Sequence, residues 1–315
     1  MLLQKAIGIG EEDVFLLETS FETLDVNLRT LDYLDKLLNL PEGAVETAIR
    51  ITDRSGNATG IAIKNRHPDG DFWFVIPYPW SESTRKQTAR TVDNLLGSGI
   101  ILSVRNKKID REKFEKGLRE YLSVSLVEKS LCDCDREMDP VSFAFNEDRN
   151  IRLKAMLGRI SGEYSIDMKK IEALEICCGN GMSTAGIKPM FKSVLSVDCD
   201  RCAVCHGLYH GILKPENTMV ADATVLSRYA GKKYDAVMGF MLGAIYDFNK
   251  HIWRDIFKES LNLVNDGGFL LFTINQKDEM DFLEESYKSL GVNGMVIDNR
   301  DEKTVYDGWA FFAMP

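Results

Sequence analysis

The segment ALEICCGNGMSTAG (173–186) places a carboxylate, Glu175, just ahead of Gly179-Asn180-Gly181. Apolar residues followed by glycines and then helix formers predict a strand, a turn and a helix. Without Cβ atoms, the turn's backbone can approach a ligand closely. A dinucleotide would require G-x-G-x-x-G, but Thr184 stands at the third glycine position. Glu175 opposes a pyrophosphate as well, because two anions would be forced together in a partly desolvated crevice. A ligand with a cationic amino group and no phosphate removes that conflict. A second group of reactive side chains follows in CDRCAVCH, where Cys199, Cys202 and Cys205 have the spacing C-x2-C-x2-C. Three thiolates can hold zinc or an iron–sulfur cluster, with His206, Cys177, Cys178 or the Cys132/Cys134 pair completing the set. Ferredoxin spacing would add a further nearby cysteine and a proline, and neither is there. Buried cysteine also serves as a small hydrophobe, and that reading is favoured.

The elements that must position these groups fall into two rhythms. The first starts with a helix after Ser20, carried by Leu24, Leu28, Leu31, Leu34 and Leu38 and stopped by Pro41 and Gly43. TAIRITD and ATGIAIK flank RSGN as a hairpin, and DFWFVIPY reads as a further strand. A helix ending at Gly97, the strand IILSVR and a helix opened by Asp110 complete a small α+β domain, residues 1–138. Past CDCDREMDP, strands alternate with helices: ALEIC, SVLSVD, TMVAD, YDAVMGF and FLLFTI are the strands. The helix before FLLFTI is expected to end at Gly267-Gly268. Two closely spaced strands, NGMVIDN and GWAFFAM, end this half. The alternation predicts an α/β, doubly wound, mostly parallel seven-stranded sheet with an antiparallel last strand over 139–315.

In such sheets ligands bind beyond the carboxyl ends of the strands. S-adenosylmethionine has the required cationic amino group and no phosphate. Here residues 145–315 resemble class I S-adenosylmethionine-dependent methyltransferases, with motifs in that family's order. Glu175 to Gly181 matches the family's first motif, an acid followed by G-x-G-x-G, with Cys177 replacing the first glycine. The resemblance implies that Glu175 orders the amino-acid end of the cofactor while Cys177, Gly179, Asn180 and Gly181 pass beside it. It implies that Asp198 holds the ribose hydroxyls, with Cys199 beside the adenine. Asp222, followed by Ala223, would accept from the adenine amine, and Gly239 would open the transfer site. Tyr246, Asp247 and His251 follow the fourth strand and are the candidates for a general base.

The acceptor is less legible, because the sulfonium carries the reactivity and the protein mainly aligns the reactants. MGFMLGAIYD lacks the [DN]-P-P-[YFW] motif of enzymes acting on planar amino groups and the Pro-Cys pair of those acting on cytosine carbon. The net charge of −9 gives no basic body for phosphate-rich partners, which disfavours nucleic acid. A small molecule or a protein side chain is the expected methyl acceptor. The N-terminal domain is expected to recognise that acceptor or to form a homodimer. Transfer of a group other than methyl, and a non-catalytic or metal-binding module on the same fold, are the alternatives. With no apolar run of membrane length and no secretory signal, a cytoplasmic protein is expected. Seven cysteines, several adjacent, suit reduced thiols.

Overall fold

The computed structural model describes residues 1–128, 132, 147–301 and 306–315. Its contacts divide into two units, 1–125 and 126–315. The boundary expected near residue 138 lies outside the described residues.

The first unit carries a five-stranded sheet in the order β1-β4-β3-β2-β5. Its strands are β1 (Asp13–Phe15), β2 (Val45–Thr52), β3 (Ala58–Asn65), β4 (Phe72–Pro77) and β5 (Ile101–Lys108). β2 and β3 form the expected antiparallel hairpin, while β1 with β4 and β2 with β5 pair in parallel. Helices α1 (Leu2–Ile7), α2 (Phe21–Val26), α3 (Leu28–Leu37), α4 (Glu82–Gly97) and α5 (Arg111–Glu128) accompany the sheet. The single helix expected after Ser20 is two. Asn27 takes a left-handed conformation with φ 57°, which breaks the leucine stripe between α2 and α3. Leu34, Leu37, Val92 and Leu95 of α3 and α4 pack on Ala48, Ile61, Ile63 and Ile76 of the sheet.

The second unit is a doubly wound α/β domain with a seven-stranded sheet ordered β11-β12-β10-β9-β6-β7-β8. The strands are β6 (Glu172–Ile176), β7 (Ser193–Asp198), β8 (Thr218–Val220), β9 (Tyr234–Gly239), β10 (Val264–Ile274), β11 (Met295–Asp298) and β12 (Trp309–Ala313). β12 runs antiparallel to both its neighbours, and every other pairing is parallel. Helix α6 (Glu147–Glu163) begins with Glu147 and Asp148, which suit the positive end of its dipole. Its stripe of Leu153, Met156, Leu157 and Ile160 covers one face of the sheet through Ala173, Ala236, Phe269, Leu271 and Phe312. α7 (Met182–Ile187) and α8 (Arg201–Tyr209) follow β6 and β7, and α9 (Lys250–Leu263) and α10 (Lys277–Ser289) flank β10. Phe257 of α9 and Tyr287 of α10 pack together at 5.3 Å, and Tyr287 stacks on Phe311 and Phe272 of the sheet.

One expected boundary is corrected. α9 stops at Leu263 rather than at Gly267-Gly268, because Val264 already pairs with Tyr234 of β9. The register then shifts before Phe269, so the glycines belong to an irregularity of the strand, with Gly267 at φ +77°.

Candidate active site

The first site is built where β6 gives way to α7. Cys177, Gly179 and Gly181 all have positive φ, at 55°, 55° and 86°. Such a backbone favours glycine, which explains why Cys177 is a departure at that position. The turn is held by Cys178 N–H donating to the Val197 carbonyl (3.1 Å) and Gly181 N–H donating to the Cys178 carbonyl (2.9 Å). A Cβ at Gly179 would meet nothing within 4 Å, so the outer side of the turn is open. A Cβ at Gly181 would come within 2.5 Å of Leu213 Cδ2, so that glycine is needed for packing.

Gly207 of α8 supports the turn from below, a role invisible in the motif. A Cβ there would collide with the Asn180 carbonyl oxygen. Gly207→Ala should therefore lower the stability of this unit by about 1–3 kcal/mol and loosen the turn. Thermal melting checks the first effect and ligand titration the second.

Glu175 is fully buried beneath the turn. Its Oε2 accepts from Thr184 Oγ1 (2.5 Å) and Ser196 Oγ (3.1 Å), while Oε1 has no partner. Burial pushes its carboxyl up to about 7, against the lowering effect of the two hydroxyls and of the Arg149 charge. An orphaned, fully buried carboxylate oxygen marks a place for a donor, and a cation suits it best.

Asp198 closes β7. Its Oδ2 accepts from Gly179 N–H (2.7 Å) and its Oδ1 from Asp200 N–H (2.8 Å), so the carboxylate both orients the turn and keeps lone pairs for a ligand. Asp222 lies exposed one residue past Ala221, whose N–H donates to the Asp198 carbonyl (3.1 Å). Its side chain caps the 3-10 turn that begins at Ala223, accepting from Thr224 N–H at 2.8 Å. The glycine turn, Asp198 and Asp222 thus share the carboxyl ends of adjacent parallel strands β6, β7 and β8. Cys199 follows Asp198 and is exposed.

Gly239 ends β9 in a tight place, where a Cβ would come within 2.7 Å of Leu242 and 3.2 Å of the Ile176 carbonyl oxygen. Beyond it, Met241 adopts φ 55°, and its N–H donates to Thr273 Oγ1 at 2.7 Å. Thr273 in turn donates to Asp307, which forms a buried bidentate pair with Arg149 at 2.5 and 3.3 Å. Sequence reasoning missed Arg149, Thr273 and Asp307. Arg149 lies four residues before Leu153 on the apolar stripe of α6, and a charge there was the one available signal. A depression of about 370 Å³ opens beside this loop, lined by Met241, Leu242, Tyr246, Asn275, Asp278 and Glu279.

Tyr246 lines that depression and is 57% exposed, stacked on Phe248 with ring centres 5.4 Å apart. Asp247 is exposed and paired with Lys250 at 2.7 Å, which holds its carboxyl below the usual range and makes it a weaker base. His251 sits exposed on α9. Of these three, the structure brings only Tyr246 to the depression.

Of the three spaced cysteines, Cys199 and Cys202 are exposed, whereas Cys205 is buried with Val204 and Cys178. Among the described residues, no three His, Cys, Asp or Glu side chains are grouped to hold a metal ion. His206 and His210 meet edge to face at 4.9 Å. No helix among the described residues is long and apolar enough to cross a membrane.

The seven-stranded, mostly parallel sheet is consistent with the Rossmann-like fold implied by the resemblance to class I S-adenosylmethionine-dependent methyltransferases. Solved structures similar to this chain are named as methylases or methyltransferases. One is an rRNA methylase from Streptococcus thermophilus, with 17% identity and TM-score 0.37, covering 49% of this chain and 93% of that one. The N-methyltransferase NodS from Bradyrhizobium japonicum has 14% identity and TM-score 0.39, covering 53% and 96%. An S-adenosylmethionine-bound amino pentose methyltransferase from Micromonospora echinaspora has 10% identity and TM-score 0.42, covering 53% and 89%. No family model matches the chain, and no curated protein does.

Proposed function

We propose that the protein is an S-adenosylmethionine-dependent methyltransferase acting on a small molecule or a protein side chain. The observation that carries this reading is the unpaired Oε1 of fully buried Glu175 beneath the open glycine turn. An ammonium group is the partner that a carboxylate in that position requires, and the same carboxylate would repel a pyrophosphate. Asp198 and Asp222 add acceptors suited to a vicinal diol and an exocyclic amine, in strand order. The cofactor, when bound, supplies an electrophilic methyl group on a sulfonium.

The chain's own residues then have separable tasks. Glu175 holds the amino end, the turn from Cys177 to Gly181 lies alongside, and Asp198 fixes the ribose. The Met241 loop, pinned through Thr273 to Asp307 and Arg149, borders the depression in which the acceptor is oriented. Orientation is the main contribution open to the protein in a displacement of this kind. Tyr246 is the candidate to take or relay the acceptor's proton.

Calorimetric titration with S-adenosylhomocysteine, and with NAD in parallel, tests the reading. Binding of S-adenosylhomocysteine without NAD is expected. Binding of NAD alone, or of neither ligand, would overturn it.

A further inference from the structure

The first unit carries a depression of its own, set by the alternation of β1 and β4. Asp13 and Phe15 point away from the core while Val14 points into it. Phe72 and Phe74 share one face of β4, separated by buried Trp73. The parallel register sets Asp13 beside Phe72 and Phe15 beside Phe74. One carboxylate and three phenyl rings therefore occupy a single square of sheet surface.

The rings form corners rather than a stack. Phe72 meets Phe15 at 87° with centres 5.3 Å apart, and meets Phe74 at 90° and 5.2 Å. The turn from His67 to Gly70, closed by Gly70 N–H donating to the His67 carbonyl (3.0 Å), borders the rings and adds a second carboxylate, Asp69. Together they line an open depression of about 480 Å³. Among the described residues, its lining holds Asp13, Asp69 and His67 but no lysine or arginine. Asp69 lies 3.5 Å from His67 Nδ1, and Asp13 has no side-chain partner among the described residues.

We propose that this depression binds an alkylated ammonium group. Aromatic faces attract a cation through their quadrupoles, and perpendicular rings let two faces act on one charge. The carboxylates add to that attraction and would repel an anion. A bare ammonium holds its water strongly, whereas an alkylated one offers apolar surface to the rings and loses less on leaving water. A neutral apolar ligand would use the rings but gain nothing from Asp13 and Asp69.

The experiment is a calorimetric titration of the full chain with choline, with its neutral carbon isostere 3,3-dimethylbutan-1-ol, and with a trimethyllysine peptide. Choline should bind at least about 10-fold more tightly than the isostere, and the peptide should compete with it. The tighter of the two cations identifies the source as a free amine or a protein side chain. Phe72→Leu, which keeps apolar bulk but removes the ring, should weaken choline about 5-fold or more. Asp13→Asn, on the exposed edge strand, should weaken it also and guards against a folding defect in the first variant. Equal binding of choline and the isostere, or binding of neither cation, would overturn the proposal.

Discussion

Replacing Glu175 with glutamine should make the ligand-free protein more stable at pH 8 while weakening its hold on S-adenosylhomocysteine. The carboxyl is raised from its ordinary 4.5 to about 7 because burial penalises the charge. The folded state therefore binds more protons than the unfolded state between those values. Stability falls as pH rises through that window and levels off above about 7. At pH 8 the accumulated cost is about 3 kcal/mol, which a neutral amide of the same shape avoids. Thr184 and Ser196 can still donate to the amide oxygen, so the local hydrogen bonds survive.

The ligand reverses the balance. An ammonium group beside Oε1 favours the ionised carboxyl, so binding below pH 7 should release a proton, and affinity should fall by up to about tenfold per pH unit. Calorimetry in buffers of different ionisation enthalpy measures that proton, and thermal melting at pH 8 measures the stability gain. A variant that melts lower and binds equally well would remove Glu175 from the ligand's amino end.

Asp198→Ala should weaken S-adenosylhomocysteine binding by about 10- to 150-fold. Losing a charge-assisted hydrogen bond from the diol to this carboxylate costs about 1.5–3 kcal/mol, which is that range. The carboxylate also accepts from Gly179 and Asp200 N–H groups, so part of the loss comes from a looser turn. Adenine alone, titrated against both proteins, separates the two contributions: a ribose role leaves its binding nearly intact. An unchanged dissociation constant in a folded Asp198→Ala protein would overturn the assignment to the ribose.

Much of the candidate site was legible because its parts are local in sequence. Glu175, the glycine turn and its helix lie within thirteen residues, and Asp198 and Asp222 each announce themselves at the end of an apolar run. The left-handed backbone of Cys177 was not legible, since the residue itself suggests thiol chemistry rather than a turn. Nor was the support of the Met241 loop: Arg149 and Asp307 are 158 residues apart, and no local pattern pairs them. In the first unit, α1 has only six residues, too few for periodicity to register, although Leu3 and Ile7 are buried. The break at Asn27 is hidden in the sequence because leucines continue at helical spacing on both sides of it. The end of α9 is not legible because a pair of glycines reads as a helix stop, whereas Val264 already pairs with the neighbouring strand.

The sheet order has a bearing on how the chain matures during synthesis. β12 is made after β11 but lies between β11 and β10. Until residues 309–313 leave the ribosome, β10 keeps a bare edge and β11 has no neighbour to join. Asp307, which anchors the Met241 loop through Thr273, arrives at the same moment. The glycine turn can order early, from residues 172 to 222, while the Met241 loop waits for the final strand. A nascent chain arrested before Asp307 should therefore retain S-adenosylhomocysteine and yet be unable to transfer a methyl group.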